Sequence, residues 1–199
     1  MEQELTLVTG AGDPEGRLGE VLSGALAGRR VRLWREGESL ENRRILFAFS
    51  LPGNGVSAGL YGILGRLRDH PGCLRGSVGG VVMDGGGDLY TKAAGRDVLL
   101  AASLAGCAFP GRPLAEAIRG LQNFTVQANN AGCGLEEAYR LAVSDLAGRV
   151  LSFAPPRRDR PRVLALHASS RATSNTLDLW GRVRERIEDT CAVREIGLR

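Results

Sequence analysis

Ile45-Leu46-Phe47-Ala48-Phe49 is an unbroken apolar run, closed by Leu51-Pro52-Gly53-Asn54-Gly55. A strand with one wet face alternates apolar and polar residues, whereas a continuous run suits a central parallel strand covered on both sides. After the turn, Leu60, Ile63, Leu64 and Leu67 recur at helical spacing, which predicts a helix from Ser57 to about Asp69. Val78 to Met83 repeats the pattern, followed by a loop at Asp84-Gly-Gly-Gly87 and a helix from Tyr90 to Ala105. Two such strand–turn–helix units in succession point to a parallel α/β sheet.

The pattern extends in both directions. Leu5 to Thr9 reads as the first strand, and the turn Gly10 to Gly16 follows. Leu18, Val21, Leu22, Ala25 and Leu26 then share one helical face, with Asp13 as the expected cap and Pro14 at the first helical position. Arg30 to Trp34 alternates and suits an edge strand. Asn123 to Ala128 is expected to be the fifth strand. A closing helix from Leu135 to Leu151 would bury Ala138, Leu141, Ala142 and Leu146. Five strands with intervening helices make residues 1–153 one open, doubly wound α/β domain. Residues 154–161, rich in proline and arginine, read as a linker. From 162 to 199 the pattern starts again: a buried strand Arg162–His167, a polar loop, a helix from about Asn175 to Asp189, and a strand Ala192–Ile196. A lone βαβ buries little apolar area, so the expectation is an incomplete second unit in a fragment of a longer chain.

Composition narrows the function classes. Of 199 residues, 43% are hydrophobic and 24% charged, which fits a globular domain. The net charge of +4 is scattered along the chain apart from the linker, and aromatics make up only 5%. Nucleic-acid readers concentrate basic residues on one face and interleave aromatics, so no nucleic-acid partner is expected. Cys73, Cys107, Cys133 and Cys191 are far apart, and no pair has metal or redox spacing. Reduced thiols, the acidic Glu2 and Glu4 near the start, and the lack of a long apolar stretch predict a cytoplasmic protein without a membrane partner. The sequence sets no oligomeric state and is compatible with a homo-oligomer.

The loop Ala168-Ser-Ser-Arg-Ala-Thr-Ser-Asn-Thr176 brings hydroxyls, an amide and an arginine to a helix N-terminus. Backbone N–H groups of a first helical turn lack partners within the helix, and the dipole there favours an anion. Ser169, Arg171, Ser174, Asn175 and Thr176 are therefore candidate phosphate ligands, beside the simpler reading of Ser174 as an ordinary N-cap. The segment resembles the opening of the NADPH-dependent FMN reductases among flavodoxin-like proteins, whose loop has the form Gly-Ser-x-Arg-x-x-Ser-Asn-Thr. Ala168 stands here for the usual glycine and Ser170 where proline is common. Gly106-Cys-Ala-Phe-Pro-Gly-Arg-Pro-Leu114 is similar to a segment of two-unit flavodoxin-like oxidoreductases.

The resemblance implies the strand order 2-1-3-4-5, bound FMN, and NAD(P)H as hydride donor. It also implies that Asn54, Gly85 and Gly86, after the two most apolar strands, border the flavin ring. Two other readings stand beside it. The acidic loop around Asp13 and Glu15 suits a flavodoxin-like scaffold or interaction domain that no longer binds flavin. Gly55-Val-Ser-Ala-Gly59 matches the hydrolase elbow G-x-S-x-G, although Ser57 also suits a helix N-cap, and His70 would lie about 20 Å along the helix.

Overall fold

The computed structural model describes residues 4–10, 14–155, 159–169, 171 and 173–198. The chain divides into two compact units, Met1–Pro155 and Pro156–Arg199. Unit 1 runs β1 (Leu5–Thr9), α1 (Gly16–Ala25), β2 (Val31–Leu33), β3 (Arg44–Leu51), α2 (Ala58–Asp69), β4 (Val78–Gly85), α3 (Thr91–Leu104) and β5 (Leu114–Ala117). A 3-10 turn (Gln122–Phe124), α4 (Thr125–Ala131) and α5 (Leu135–Ser152) complete it. All pairings in its sheet are parallel, and the order is β2-β1-β3-β4-β5, that of a flavodoxin-like fold.

The alternation of β3 explains why its sequence shows no polar face. Leu46 and Ala48 enter a core with Leu18 and Val21 of α1 and Tyr139, Val143 and Leu146 of α5. Ile45, Phe47 and Phe49 enter the opposite core with Leu60 and Leu64 of α2 and Val98 and Ala101 of α3. Both faces are covered, so each residue from Ile45 to Phe49 is 0% exposed. Gly80 lets α5 approach β4 closely, because a Cβ there would sit 2.9 Å from both Leu146 Cδ1 and Val150 Cγ2. Gly80→Ala is expected to cost about 1–3 kcal/mol through overpacking, read as a lower urea midpoint with unchanged slope.

Several expectations give way to the structure. The fifth strand is Leu114–Ala117, and Asn123–Ala128 lies in the 3-10 turn and α4. Phe124 and Ala128 are both buried, four positions apart as a helix requires, whereas Val126 is 69% exposed. On α5, Leu141 points outward, and the buried stripe passes through Ala138, Tyr139, Val143, Leu146, Ala147 and Val150. Glu15 takes the N-cap position of α1 without a side-chain bond, so Pro14 precedes the helix, and Asp13 lies outside the described residues. Asp84 and Gly85 belong to β4 and not to the loop after it.

Unit 2 comprises β6 (Arg162–His167), α6 (Asn175–Ile187) and β7 (Ala192–Gly197), with β6 and β7 parallel. Contrary to expectation, β6 is not buried. Val163, Ala165 and His167 are half-covered, while Leu164 and Leu166 on the other face are more than half exposed. Among its described residues, none is buried.

Candidate functional site

The direction of winding in unit 1 reverses between β1 and β3, since α1 leads outward to β2 and α2 leads to β4. Ligands of open α/β sheets sit at the carboxyl ends of the strands beside such a switch point. Here that place is a crevice of about 490 Å³, lined by Glu15, Arg17, Ser50, Ser57, Asp84 and Gly86 among others.

Arg17, in the first turn of α1, spans the end of this crevice. Its Nε donates to Asp84 Oδ2 at 2.9 Å and its Nη2 to Asp84 Oδ1 at 2.8 Å, a two-point pairing. Nη1 also donates to the carbonyl of Arg119 at 2.7 Å, and Nη2 to the carbonyls of Gly85 at 3.1 Å and Ile118 at 3.3 Å. The guanidinium therefore ties α1 to the ends of β4 and β5. Hydrogen bonding to Asp84 raises its pKa above the ordinary value, against the opposing effect of burial. The Tyr139 hydroxyl is buried beside Asp84, to which it makes no well-formed hydrogen bond, and it has no other partner among the described residues. Burial first, and the Asp84 charge second, push the phenol well above its usual range.

The loops after β3 and β4 close on each other. A Cβ on Gly87 would lie 2.9 Å from the Gly53 carbonyl oxygen, and Gly86 donates its N–H to the Leu51 carbonyl at 2.7 Å. Asn54 is exposed, with its Oδ1 accepting from the Val56 N–H at 3.1 Å in a local turn. Gly86 is exposed as well. Gly85 is buried in the strand, where a Cβ would meet Thr91 Cγ2 at 2.5 Å and the Ala117 oxygen at 3.0 Å. Ser57 caps α2, its hydroxyl accepting from the Leu60 N–H at 3.4 Å, and His70 stands at the opposite end of that helix. This serine is a cap, with no histidine of its own unit beside it.

Unit 2 holds the other five predicted residues. Ser174 is the N-cap of α6, and its carbonyl accepts from the Asp178 N–H at 3.0 Å, but its side chain makes no capping bond. Ser169 is half-buried, while Arg171, Asn175 and Thr176 are exposed. Among the described residues, none of these five side chains has a hydrogen-bond or ion-pair partner, and Ser170 and Ala172 lie outside those residues. Thr173, Ser174 and Asn175 border a depression of about 530 Å³ that continues along Asp178 and Arg182.

Where β6 ends, His167 Nε2 lies 3.1 Å from Glu195 Oε1, and Trp180 Nε1 donates to Glu195 Oε2 at 3.0 Å. That bond, more than the nearby His167 and Arg184, holds the Glu195 carboxyl below its ordinary pKa. Trp180 and Leu177 of α6 are half-buried.

Sequence reading did not single out Arg17 or Tyr139. Arg17 and Asp84 are 67 positions apart, with no spacing signal to connect them. All four cysteines are free thiols, and burial pushes Cys107 up to about 12. No group of three metal-ligating side chains occurs among the described residues, and none of their helices is long and apolar enough to cross a membrane. No protein-family model matches the chain, and comparison with curated proteins finds no match.

Proposed function

We propose that the chain serves a flavin-dependent NAD(P)H oxidoreductase and that unit 2 holds the phosphate of FMN. The observation carrying this reading is the junction of β6 and α6. It is a strand, a hydroxyl-rich loop and a helix start whose N-cap side chain and arginine have no partner among the described residues. Ser169, Arg171, Ser174, Asn175 and Thr176 supply the donors that a phosphate monoester needs, and the first-turn amides of α6 add to them. When bound, the flavin accepts hydride from the nicotinamide and passes electrons on, while the protein contributes binding and orientation. His167, Glu195 and Trp180 keep the end of β6 in place beside the loop.

Unit 1 supports a second reading for itself, as a scaffold that takes no flavin. Arg17 is saturated by Asp84 and three carbonyls, and the Gly53 and Gly87 backbones meet where a ring would have to enter.

Titration of FMN fluorescence with the full chain tests both readings. The phosphate reading expects saturable binding that weakens at least about tenfold in Arg171→Ala and in Ser174→Ala, as loss of a charge-assisted bond implies. It also expects riboflavin, which lacks the phosphate, to bind more weakly than FMN. Equal affinity for the two flavins would take the phosphate out of the binding and with it the role given to unit 2, whereas no uptake of either would leave only the scaffold reading.

A further inference from the structure

β5 is the outer strand of the unit 1 sheet, and its free edge is the floor of a groove of about 550 Å³. Lys92, in the first turn of α3, borders this groove on one face of the sheet. Ala138, Leu141 and Ala142 of α5 border it on the other. The Val81 N–H donates to the Pro113 carbonyl at 2.8 Å. Alternation along a parallel strand therefore turns the backbone groups of Ala115 and Ala117 toward β4, and those of Leu114 and Glu116 into the groove. Asn123 Nδ2 holds the Glu116 carbonyl at 2.7 Å. The Leu114 N–H and C=O and the Glu116 N–H have no partner among the described residues. At the other end Arg149 Nη2 donates to the Arg112 carbonyl at 3.0 Å, and Arg112 bends the chain at φ 54° before Pro113. The usable edge thus runs only from Pro113 to Glu116. A slot between two helix layers with so short an edge suits a short extended chain and excludes a long strand.

Charge narrows the occupant. Asp145 and Arg149 neutralise each other. Glu116 accepts from Thr91 Oγ1 at 3.1 Å but meets no cation, and Lys92 and Arg112 meet no anion among the described residues. One negative and two positive charges are therefore uncommitted around the open edge.

We propose that this groove binds a short free peptide with an acidic first residue, antiparallel to β5. Its third residue exchanges both backbone bonds with Leu114, and the carbonyl of its first residue accepts from the Glu116 N–H. The nitrogen of that first residue is a free ammonium, which turns to the uncommitted Glu116 carboxylate and makes no call on the carbonyl held by Asn123. Pleating puts the first side chain on the α3 face with Glu116, where an acidic group meets Lys92. The second side chain falls opposite Ala115, on the α5 face, where Leu141 is 43% exposed and offers an apolar wall. The fourth residue ends opposite Pro113, and its carboxylate meets the Arg112 side chain, which lines that end of the groove. Each uncommitted charge then has a partner. A parallel peptide would set its ammonium against Arg112 and leave Glu116 unmatched.

Isothermal titration calorimetry of the full chain with the tetrapeptide Glu-Leu-Val-Ala, at about pH 6.5, tests the proposal. Saturable binding of one peptide per chain is expected, and amide exchange at Leu114 and Glu116 should slow when it is bound. Three modified peptides, one N-acetylated, one C-amidated and one with Gln first, are each expected to bind at least about tenfold more weakly, as loss of a charge-assisted bond implies. Each loss has its own counterpart in the protein: Glu116→Gln for acetylation, Arg112→Asn for amidation and Lys92→Gln for the Gln-first peptide. Asn tolerates the left-handed backbone at Arg112. In each of these variants the matching modification should cost little more, while the other two still cost about tenfold. N-methylation of the third peptide nitrogen, which removes the donor to Leu114, should abolish binding. Absence of saturable binding would overturn the proposal, as would equal affinity for all the peptides or modifications that cost the same in the variants as in the parent. Exchange at Leu114 that slows with protein concentration and ignores the peptide would overturn it too, and would give the edge to a second copy of the chain.

Discussion

Arg17→Ala is expected to destabilise unit 1 by about 3 kcal/mol, the lower end of the cost of breaking a buried ion pair from one side. The Asp84 side chain is only 10% exposed, so without Arg17 its carboxylate stays desolvated with no counter-charge. The carbonyls of Gly85, Ile118 and Arg119 lose a donor at the same stroke. For a domain of this size the change corresponds to a fall in Tm of roughly 6–12 °C, measurable by calorimetry or by circular dichroism in urea. Asp84→Asn should cost less, about 1–2 kcal/mol, because the guanidinium keeps its carbonyl partners and a neutral acceptor. Exchanging both residues for apolar ones of similar volume should recover much of the single-variant loss. Tyr139→Phe is the internal control. Its buried hydroxyl lies beside Asp84 without a well-formed hydrogen bond among the described residues, so removing it should change stability by no more than about 1 kcal/mol. An unaffected Arg17→Ala would show that this pair does not hold the strand ends together.

How much of this was legible in the sequence depended on whether the determining contacts were local. The two central strands were plain because two-sided burial removes every polar residue from Ile45–Phe49 and Val81–Met83. The helices α1 and α2 declared themselves through their apolar period, and Ser57 marked the start of α2, whereas Glu15 stands at the N-cap of α1 without a side-chain bond. Leu114-Ala-Glu-Ala117 escaped notice because four residues without a β-branched side chain have little strand propensity, and what makes them a strand is pairing with β4. Phe124-Thr-Val-Gln-Ala128 misled because Phe, Val and Ala alternate. Leu121, in the left-handed region at φ 60°, turns the chain just before it, and Asn123 then bonds back to the β5 edge. The stripe of α5 was misphased at Leu141, since an aromatic at Tyr139 and the small Ala142 leave the facing side undecided until Phe124 arrives to pack on Tyr139. The Arg17–Asp84 pair had no local signature at all. The phosphate-type loop was the reverse case: its residue types stand out in the sequence, while the packing around them adds little.

Amide exchange should show a gap of several orders of magnitude between the two units, and it bears directly on the flavin proposal. Exchange from β3 and β4 requires opening of strands whose side chains are fully buried. Their protection should approach the global stability, at least about 5 kcal/mol or nearly four decades in rate. In β6 and β7 no described residue is buried, and Leu164 and Leu166 are 56% and 58% exposed. The side-chain ties holding β6, β7 and α6 together include the Glu195 contacts with His167, Trp180 and Arg184. Their amides should open at little cost. A ligand that binds only the folded form changes this by mass action, adding about 2.7 kcal/mol at a hundredfold excess over its Kd. FMN at that concentration should therefore slow exchange across 162–187 by about a hundredfold while leaving β3 and β4 unchanged. Protection that appears in β4 and not in α6 would move the ligand to the crevice beside Arg17. Saturating FMN with no change in either unit would remove the flavin from the account, and the fold would stand as a scaffold alone.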